Sequence, residues 1–254
     1  MVDHLSYSSI TTYLSCPRSW AFKYIEKAPT YATPELVTGT AVHNVIEAYL
    51  GQTGVRQPLT SLWGAAWAKS IERGPVVWGA DSPEQHSNDG LRLIANEQVE
   101  YGINTITPLM LEAGPAIEQK VELRVPGVPI PIIGYIDIQT ADEVPGDIKT
   151  SARSWTQDRA QSETQSLFYL AALNQAGRTV PGWKFRHYVI VKTKTPQWQV
   201  FEHSHKPGEV FWLFGLIASV WKGIEAGAFP ENPTGWKCSP QYCDFWSKCR
   251  GKYL

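Results

Sequence analysis

Apolar residues recur at helical spacing through most of the first 112 residues. This pattern predicts helices over residues 6–27, 33–50, 62–71 and 89–111. Pro17 is expected to break the first of these, because proline suits the start of a helix better than its interior. Residues 79–88 are polar and rich in turn-forming types, which predicts a loop.

After Pro115 the pattern changes to the alternation of apolar and polar residues that is typical of strands. We predict strands at residues 116–125, 130–139 and 144–150, a helix at 155–176, a hairpin at 183–192 and 198–203, and a last helix at 210–226. This order predicts an α/β fold in which a small mixed β-sheet is flanked by helices. We expect a single domain over residues 1–254, with a mainly helical region (1–112), a core (113–205), and a C-terminal helix with its following segment (206–254).

The composition is that of an ordinary globular protein, with 43% hydrophobic residues, 19% charged residues and a net charge of -1. Such a balance creates no overall positive field, so any surface that binds nucleic acid must be local. No stretch approaches the roughly 18 apolar residues of a membrane span, and the N-terminus lacks a basic region followed by an apolar run. We therefore expect a cytoplasmic protein with no membrane association and with reduced thiols.

Four cysteines, Cys16, Cys238, Cys243 and Cys249, lie near the two ends of the sequence. The last three follow the spacing C-x4-C-x5-C, and all four can bind one metal centre only if the two ends of the chain meet. Reduced cysteines favour metal ligation over disulfides, although buried cysteines also serve as small apolar side chains. Four thiolates suit structural zinc as well as an iron–sulfur cluster, and the spacing leaves that choice open.

Two aspartates and a lysine lie on the predicted central strands. Asp147 and Lys149 point to the same face because side chains alternate along a strand, and Asp137 joins them if its strand is adjacent. The two carboxylates and the Ile148 carbonyl suit Mg²⁺ or Mn²⁺, which prefer oxygen ligands. Such an ion activates water and neutralises charge on a phosphate, while Lys149 can orient that water or stabilise the developing charge. Taken alone, the aspartates would more simply be strand-end and turn residues.

Four further residues extend this candidate site. His43, on a predicted helix, could add an imidazole ligand, and Glu118 could add a carboxylate. Gln165 and Tyr169 are four residues apart and share a helix face, where they could contact DNA or brace the lysine. Each of the four also has a simpler explanation, as an ordinary helix, strand-surface or core residue.

Taken in order, these residues resemble the motifs of the PD-(D/E)xK nuclease superfamily, and in particular its RecB-like branch with an iron–sulfur cluster. That branch includes the nuclease domains of RecB and AddB, the CRISPR-associated adaptation nucleases and related phage exonucleases. Each motif alone is weak, but together they follow the family's order and span nearly the whole chain. The matching pieces are Leu5-Ser6-x-Ser8, Tyr13-x-x-Cys16-Pro17, Gly39-x-x-x-His43, Glu118, Gly134-x-x-Asp137, Asp147-x-Lys149-Thr150, Gln165-x-x-x-Tyr169 and the last three cysteines.

The resemblance implies a restriction-endonuclease-like core, with an N-terminal helical region and a C-terminal iron–sulfur segment packed against the N-terminus. It implies a metal-dependent DNA nuclease, more often an exonuclease that acts on single-stranded DNA or DNA ends. The setting would be recombination, repair, phage DNA processing or CRISPR adaptation. Partners would be DNA and a helicase, a recombination protein or a CRISPR adaptation protein.

The resemblance also assigns roles to individual residues. The catalytic set would be Asp137, Asp147 and Lys149, with Gln165 and Tyr169 as the accessory motif. The ligands of Mg²⁺ or Mn²⁺ would be His43, Asp137, Asp147 and the Ile148 carbonyl, with Glu118 as a further carboxylate contact. A [4Fe–4S] cluster would be held by Cys16, Cys238, Cys243 and Cys249.

Three departures from the family pattern are present. Pro145 and Gly146 precede Asp147 where the family has an apolar strand, so we expect that strand to be short. The gap between Cys238 and Cys243 is longer than usual in the family. No Walker-type G-x-x-x-x-G-K-[ST] motif occurs in the sequence.

A nuclease with a net charge of -1 needs local positive potential, so we expect some basic residues near the site to contact phosphates. Trp155 could stack on a base, but it could equally pack in the core. The basic candidates are Arg153, Arg159, Lys184, Arg186, Lys192 and Lys194.

Two other functions remain open at the level of sequence. A non-catalytic DNA-binding or scaffold module could keep the same fold. A redox protein built around the cluster would explain the cysteines, but it would leave Asp137, Asp147 and Lys149 without a role.

Overall fold

The computed structural model describes residues 2–253, so the two end residues of the predicted domain lie outside the described residues. The chain has a mixed α/β fold, with a mixed sheet flanked by helices. The elements of the first half are β1 (Leu5–Ser6), α1 (Tyr7–Ser15), α2 (Pro17–Trp20), a π-helical turn (Ala21–Ile25), α3 (Pro34–Leu50), α4 (Leu59–Ile71), α5 (Pro83–Ile94) and α6 (Glu97–Asn104).

The second half contains most of the strands. Its elements are β2 (Met110–Leu111), β3 (Gly114–Pro115), β4 (Ile117–Leu123), β5 (Ile132–Gln139), β6 (Pro145–Ser151), α7 (Gln157–Ser162), α8 (Thr164–Gln175), a 3-10 turn (Pro181–Trp183), β7 (Lys184–Val191), β8 (Gln197–Ser204), α9 (Glu209–Glu225) and a last 3-10 turn (Arg250–Tyr253). Among the described residues, no helix combines the length and the apolar character that crossing a bilayer would require.

The described residues form two compact units. Unit 1 contains residues 2–31, 122–134 and 208–253. Unit 2 contains residues 32–121 and 135–207.

The sheet of unit 2 has the strand order β5, β6, β7, β8. β5 and β6 are antiparallel, with Ile138 opposite Gly146, and β7 and β8 form the predicted antiparallel hairpin. β6 and β7 are parallel, with Asp147 opposite His187. Parallel neighbours need a crossover connection, and α7 and α8 supply it.

Side chains of these strands divide between two apolar cores because they alternate in direction. Ile138, Ile148 and Ile190 pack with residues of α3 to α6 on one face. Val189 and Val191 pack with residues that follow β6 on the other face. Each fully buried aliphatic side chain contributes roughly 1.5–3 kcal/mol to stability. Because these apolar residues must face the two cores, the polar residues that alternate with them along each strand have their side-chain direction fixed as well.

Unit 1 joins the two ends of the chain. Its β1 pairs in parallel with the start of β5, where Leu5 lies opposite Ile132. The Tyr13 hydroxyl donates to the Ala228 carbonyl at 2.7 Å, and the Trp20 ring stacks on Phe229 with the ring centroids 5.7 Å apart. The C-terminal segment thus packs against the N-terminal helices within this unit.

The predicted loop at residues 79–88 is wrong, because α5 begins inside it at Pro83. The Ser82 side chain accepts from the Gln85 amide at 3.0 Å and caps the helix, and Pro83 takes the first helical position. A polar surface hides this helix from a search for apolar periodicity.

The predicted helices at 89–111 and 155–176 are each interrupted. The first ends at Ile94, after which the Asn96 side chain accepts from the Gln98 and Val99 amides and starts α6. The second is divided at Glu163, whose backbone is extended between α7 and α8. The strand after Pro145 is not unusually short, since β6 begins at that proline and runs through Ser151.

Candidate active site

Asp137 and Asp147 lie side by side on β5 and β6. Ile138 pairs with Gly146. Asp137, just before Ile138, and Asp147, just after Gly146, are therefore neighbours on the face of the sheet opposite Ile148. Asp137 Oδ2 accepts from the Ile148 amide at 2.6 Å. Burial and the charge of Asp147 raise the pKa of Asp137. Two carboxylates held this close favour a cation beside them.

The Lys149 ammonium is fixed on the same face. Its Nζ donates to Asp147 Oδ1 at 2.8 Å and lies 2.7 Å from Oδ2, and it donates to Gln165 Oε1 at 3.1 Å. Gln165 Nε2 donates in turn to the Tyr169 hydroxyl at 2.9 Å. Burial opposes the charged form, but Asp147 and Asp137 outweigh it and raise the pKa of Lys149. Lys149 is therefore an oriented cation at neutral pH.

His43 reaches the aspartates from α3. Its Nε2 lies 2.8 Å from Asp137 Oδ2, and its Nδ1 pairs with the carboxylate of Glu47, one turn further along the helix. Burial opposes protonation, yet Asp137 and Glu47 raise the pKa of His43 to about 11. Both ring nitrogens are thus engaged, and the imidazole is held in one orientation.

Glu47 is a site residue that the sequence reasoning missed. It follows His43 by four residues on one helix, so helical periodicity could have found it. Burial and the neighbouring Glu47 carboxylate raise the pKa of Glu118 to about 7. Glu118 has a φ of +47°, an uncommon backbone conformation for a residue with a side chain.

His43, Glu118 and Asp137 form a candidate metal site. Each offers a ligand atom, and these atoms lie within 4.8 Å of one another. Among residues 2–253, no other group of three or more histidine, cysteine or acidic residues meets that spacing. Asp147 is outside this group and is engaged by Lys149. The two carboxylates fit Mg²⁺ or Mn²⁺, and His43 could add one imidazole nitrogen.

The site opens into a cavity of about 520 Å³ within unit 2. Its lining includes Glu35, Leu36, Gly39, Thr40, His43, Arg73, Asp137, Asp147, Ile148, Lys149, Thr150, Gln165 and Lys192. Gly39 allows α3 to approach β6 here, because a Cβ at this position would lie 2.9 Å from Thr150 Oγ1. The glycine of the Gly39-x-x-x-His43 motif therefore sets the distance between the histidine and the strand of Asp147.

A column of buried imidazoles, which no sequence pattern predicted, lies behind Asp147. His187 is fully buried, and its Nδ1 is 3.8 Å from Asp147 Oδ2. Its ring stacks on His203, with centroids 5.2 Å apart, and His203 meets His205 edge-on at 5.3 Å. Only the pairing of β6, β7 and β8 brings these positions together.

Three of the six basic residues predicted near the site are engaged elsewhere. Arg186 and Lys184 pair with Glu202, and Arg186 also pairs with Asp142. Trp155 is buried in the second core, with the guanidinium of Arg159 4.3 Å from its ring centroid. The core explanation of Trp155 is therefore the correct one. Lys192 lines the cavity.

The four cysteines all lie in unit 1. Burial raises the pKa of Cys243, and the neighbouring Cys16 and Cys238 add to that effect. Burial, Glu231 and Cys16 together raise the pKa of Cys249 to about 11. The thiols therefore lie within electrostatic reach of one another, but among the described residues no three cysteine sulfurs lie within 4.8 Å. Bonds of about 2.3 Å to a single zinc ion would require closer sulfurs.

The comparisons with known proteins agree with this geometry. The family model described as PD-(D/E)XK nuclease superfamily matches residues 4–250. The crystal structure of a protein from Eubacterium rectale described as a candidate exonuclease aligns with a TM-score of 0.61 and 11% identity, over 98% of this chain and 88% of that one. At this identity the likeness concerns the fold alone.

A second solved structure, that of SSO0001, aligns with a TM-score of 0.38 and 16% identity over 96% of each chain. That score is too low to support an argument. No curated protein sequence matches the chain significantly.

Proposed function

The chain belongs to the PD-(D/E)XK nuclease superfamily, and on that premise we propose that it is a metal-dependent DNA exonuclease that hydrolyses phosphodiester bonds. One observation carries the proposal: Asp137, Asp147 and Lys149 converge on one face of the sheet, at the wall of a cavity. This is the arrangement of acidic groups and an amine that the family's chemistry needs.

The residues that would hold Mg²⁺ or Mn²⁺ are His43 and Asp137, with Asp147, the Ile148 carbonyl and Glu118 as further oxygen donors. The crowding of Asp137 and Asp147, which raises the pKa of Asp137, is what a bound cation would relieve. When bound, such an ion supplies an activated water and neutralises charge on the phosphate.

The protein's own groups supply the remaining steps. The Lys149 ammonium is held in a fixed position and can donate a hydrogen bond to a non-bridging phosphate oxygen or to the attacking water. Gln165 orients that ammonium by accepting a hydrogen bond from it, and Tyr169 in turn accepts a hydrogen bond from Gln165. Glu47 accepts from His43 Nδ1, so the imidazole would present Nε2 to a metal in a fixed orientation once Nε2 has given up the proton that Asp137 favours there.

We place the chain in the RecB-like branch and propose that Cys16, Cys238, Cys243 and Cys249 hold a [4Fe–4S] cluster. Two features support this: the two ends of the chain meet in unit 1, and Cys16 lies close enough to Cys243 and Cys249 to add to the effect of burial, which raises the pKa of both. A polynuclear cluster bridges more widely spaced sulfurs than a single zinc ion does. The cluster would act as a structural link rather than as a redox centre.

We further propose that the substrate is single-stranded DNA or a DNA end. The exonuclease description of the Eubacterium rectale protein supports exonucleolytic action. The proposed setting is cytoplasmic recombination, repair, phage DNA processing or CRISPR adaptation, with a helicase or another protein of these processes as partner.

The test is digestion of end-labelled linear DNA and of circular single-stranded DNA by the purified protein, with Mn²⁺, with Mg²⁺ and with chelator. We expect metal-dependent loss of the linear substrate, with mononucleotides or short products and an intact circle. Cleavage of the circle at the same rate would indicate an endonuclease. Tight DNA binding without cleavage under any metal would favour the non-catalytic module instead.

A further inference from the structure

Lys192 stands at the cavity wall, immediately after β7. Its backbone amide donates to the Ser151 carbonyl at 2.7 Å, which anchors it two residues beyond the end of the Asp147–Lys149 segment on the neighbouring strand. The side chain lines the same cavity as Asp147 and Lys149. Its position is therefore fixed by the sheet rather than by a flexible loop.

The Lys192 ammonium makes no hydrogen bond or ion pair to any other described residue. Burial lowers its pKa, and the carboxylate of Glu35, which also lines the cavity, partly offsets this effect. By contrast, Lys149 pairs with Asp147, and Lys184 and Arg186 pair with Glu202. A partly desolvated cation without a bonded anion is unfavourable, so such a group is suited to an anionic ligand.

A second cation lines the cavity. The guanidinium of Arg73 is held by Asn44 Oδ1 at 3.4 Å, and the buried Asn44 is itself fixed because its Nδ2 donates to Ser70 Oγ at 3.1 Å. The Thr40 side chain lies on the same lining. Lys192 and Arg73 together give this cavity the donors that a phosphate needs, separate from the groups at Asp137.

We propose that Lys192 and Arg73 form a subsite for a second, non-scissile phosphate of the DNA strand whose neighbouring phosphodiester is cleaved at Asp147 and Lys149. This rests on the proposed nuclease function and deepens it, because it makes a polynucleotide the substrate in place of an isolated phosphodiester. In the parallel register Lys149 lies opposite Val189, so Lys192 is about 10 Å further along the strand direction. Long side chains from these two positions can reach adjoining phosphates of one strand.

The experiment compares two substrates. One is an oligodeoxythymidylate, which carries neighbouring phosphates, and the other is bis(p-nitrophenyl) phosphate, which carries one. For K192Q we expect the loss of kcat/KM on the oligonucleotide to exceed the loss on the single diester by about tenfold or more, mainly through KM. K192R should recover most of that loss, and K120Q, which removes an exposed lysine outside the cavity, serves as the matched charge control.

Equilibrium binding keeps the subsite and the nuclease function separable. In chelator, K192Q should weaken binding of the oligodeoxythymidylate and reduce the slope of log affinity against log salt by about 0.7, as the loss of one phosphate contact with a single strand requires. The subsite would be overturned if K192Q lost kcat/KM equally on both substrates. It would also be overturned if K192Q bound the oligonucleotide with the same affinity and the same salt slope as K120Q. If the wild-type protein cleaves neither substrate, but K192Q still binds the oligonucleotide more weakly than the wild-type protein does, the nuclease function is overturned and the subsite is not.

Discussion

At the scale of single residues, the candidate site is defined by how charges are balanced in a buried place. Lys149 remains charged because Asp147 and Asp137 outweigh the effect of its burial, and Gln165 then fixes the direction of its N–H groups. A cation that is already oriented needs little reorganisation as charge develops on a phosphate. This balance makes Lys149 the most informative single position to change.

Lys149→Met should keep most of the side-chain volume and remove the charge. We expect kcat for DNA cleavage to fall by about a hundredfold or more, since removal of one group that stabilises a transition state has an effect of that size. The thermal midpoint should fall, because Asp147 loses its buried partner, so cleavage is compared at a temperature at which circular dichroism shows that the variant is folded. Lys120→Met, at an exposed position on β4, is the control, and cleavage by the Lys149 variant at the rate of this control would remove the lysine from the mechanism.

The central part of the site could be predicted from the sequence, because local geometry determines it. Strand alternation puts Asp147 and Lys149 on one face, and the four-residue spacing puts Gln165 and Tyr169 on one side of α8. The role of His187 could not be predicted from the sequence, because its approach to Asp147 depends on which strands become neighbours and in what register. Lys192 was one of six basic candidates, and only the structure distinguishes it.

At the scale of elements, helix packing in unit 2 depends on two glycines that periodicity does not reveal. A Cβ at Gly90 of α5 would lie 2.1 Å from the Trp63 ring of α4, and one at Gly102 of α6 would lie 2.4 Å from the Trp198 ring of β8. Each helix therefore approaches an indole more closely than any other residue would allow. The order of elements could be predicted from the sequence, but these distances could not.

Gly90→Ala and Gly64→Ala should change stability in opposite directions, although both replace a helical glycine. A Cβ at Gly64 meets nothing within 4 Å, so alanine there should raise the free energy of unfolding by up to about 1 kcal/mol through helix propensity. At Gly90 the clash with Trp63 should outweigh that gain and lower stability by about 1–3 kcal/mol. Urea unfolding of both variants measures the difference, and equal stabilisation would show that α4 and α5 are not packed this closely.

At the scale of the whole molecule, residues from both ends of the chain build unit 1. A proposed cluster held by Cys16 and the three late cysteines would close a loop of more than 220 residues. In the chain-entropy description, a cross-link over such a loop contributes on the order of 5 kcal/mol. That is comparable with the net stability of a domain.

Cys249→Ser should therefore lose bound iron and melt at a markedly lower temperature than the wild-type protein. Iron and sulfide analysis of protein purified without oxygen gives the first readout, and thermal unfolding followed by circular dichroism gives the second. Ser247→Ala, an exposed neighbour, should change neither. A Cys249 variant without iron that keeps the wild-type melting temperature would contradict a structural role for the cluster.

The buried imidazole column makes the stability of the protein depend on pH. His203 is 5% exposed, and burial, with smaller effects from His187 and His205, lowers its pKa to about 4. Neither of its ring nitrogens makes a hydrogen bond within the described residues. The unfolded chain takes up this proton below about pH 6.5, whereas the folded chain does so only near pH 4. Stability is therefore fully present above pH 6.5 and is lost as the pH falls from there through 4.

Lowering the pKa of His203 from about 6.5 to about 4 corresponds to about 3 kcal/mol of free energy of unfolding, since one pKa unit is 1.36 kcal/mol. His203→Phe keeps a ring to stack on His187 and Phe185 but cannot take up the proton. Between pH 7.5 and pH 4, the free energy of unfolding of the wild-type protein should fall by about 3 kcal/mol more than that of the variant, as urea unfolding at each pH would measure. Any acid loss of a bound metal affects both proteins and cancels in the comparison. Two parallel pH curves would mean that His203 takes up its proton in the fold as readily as in the unfolded chain, so that burial does not keep this imidazole neutral.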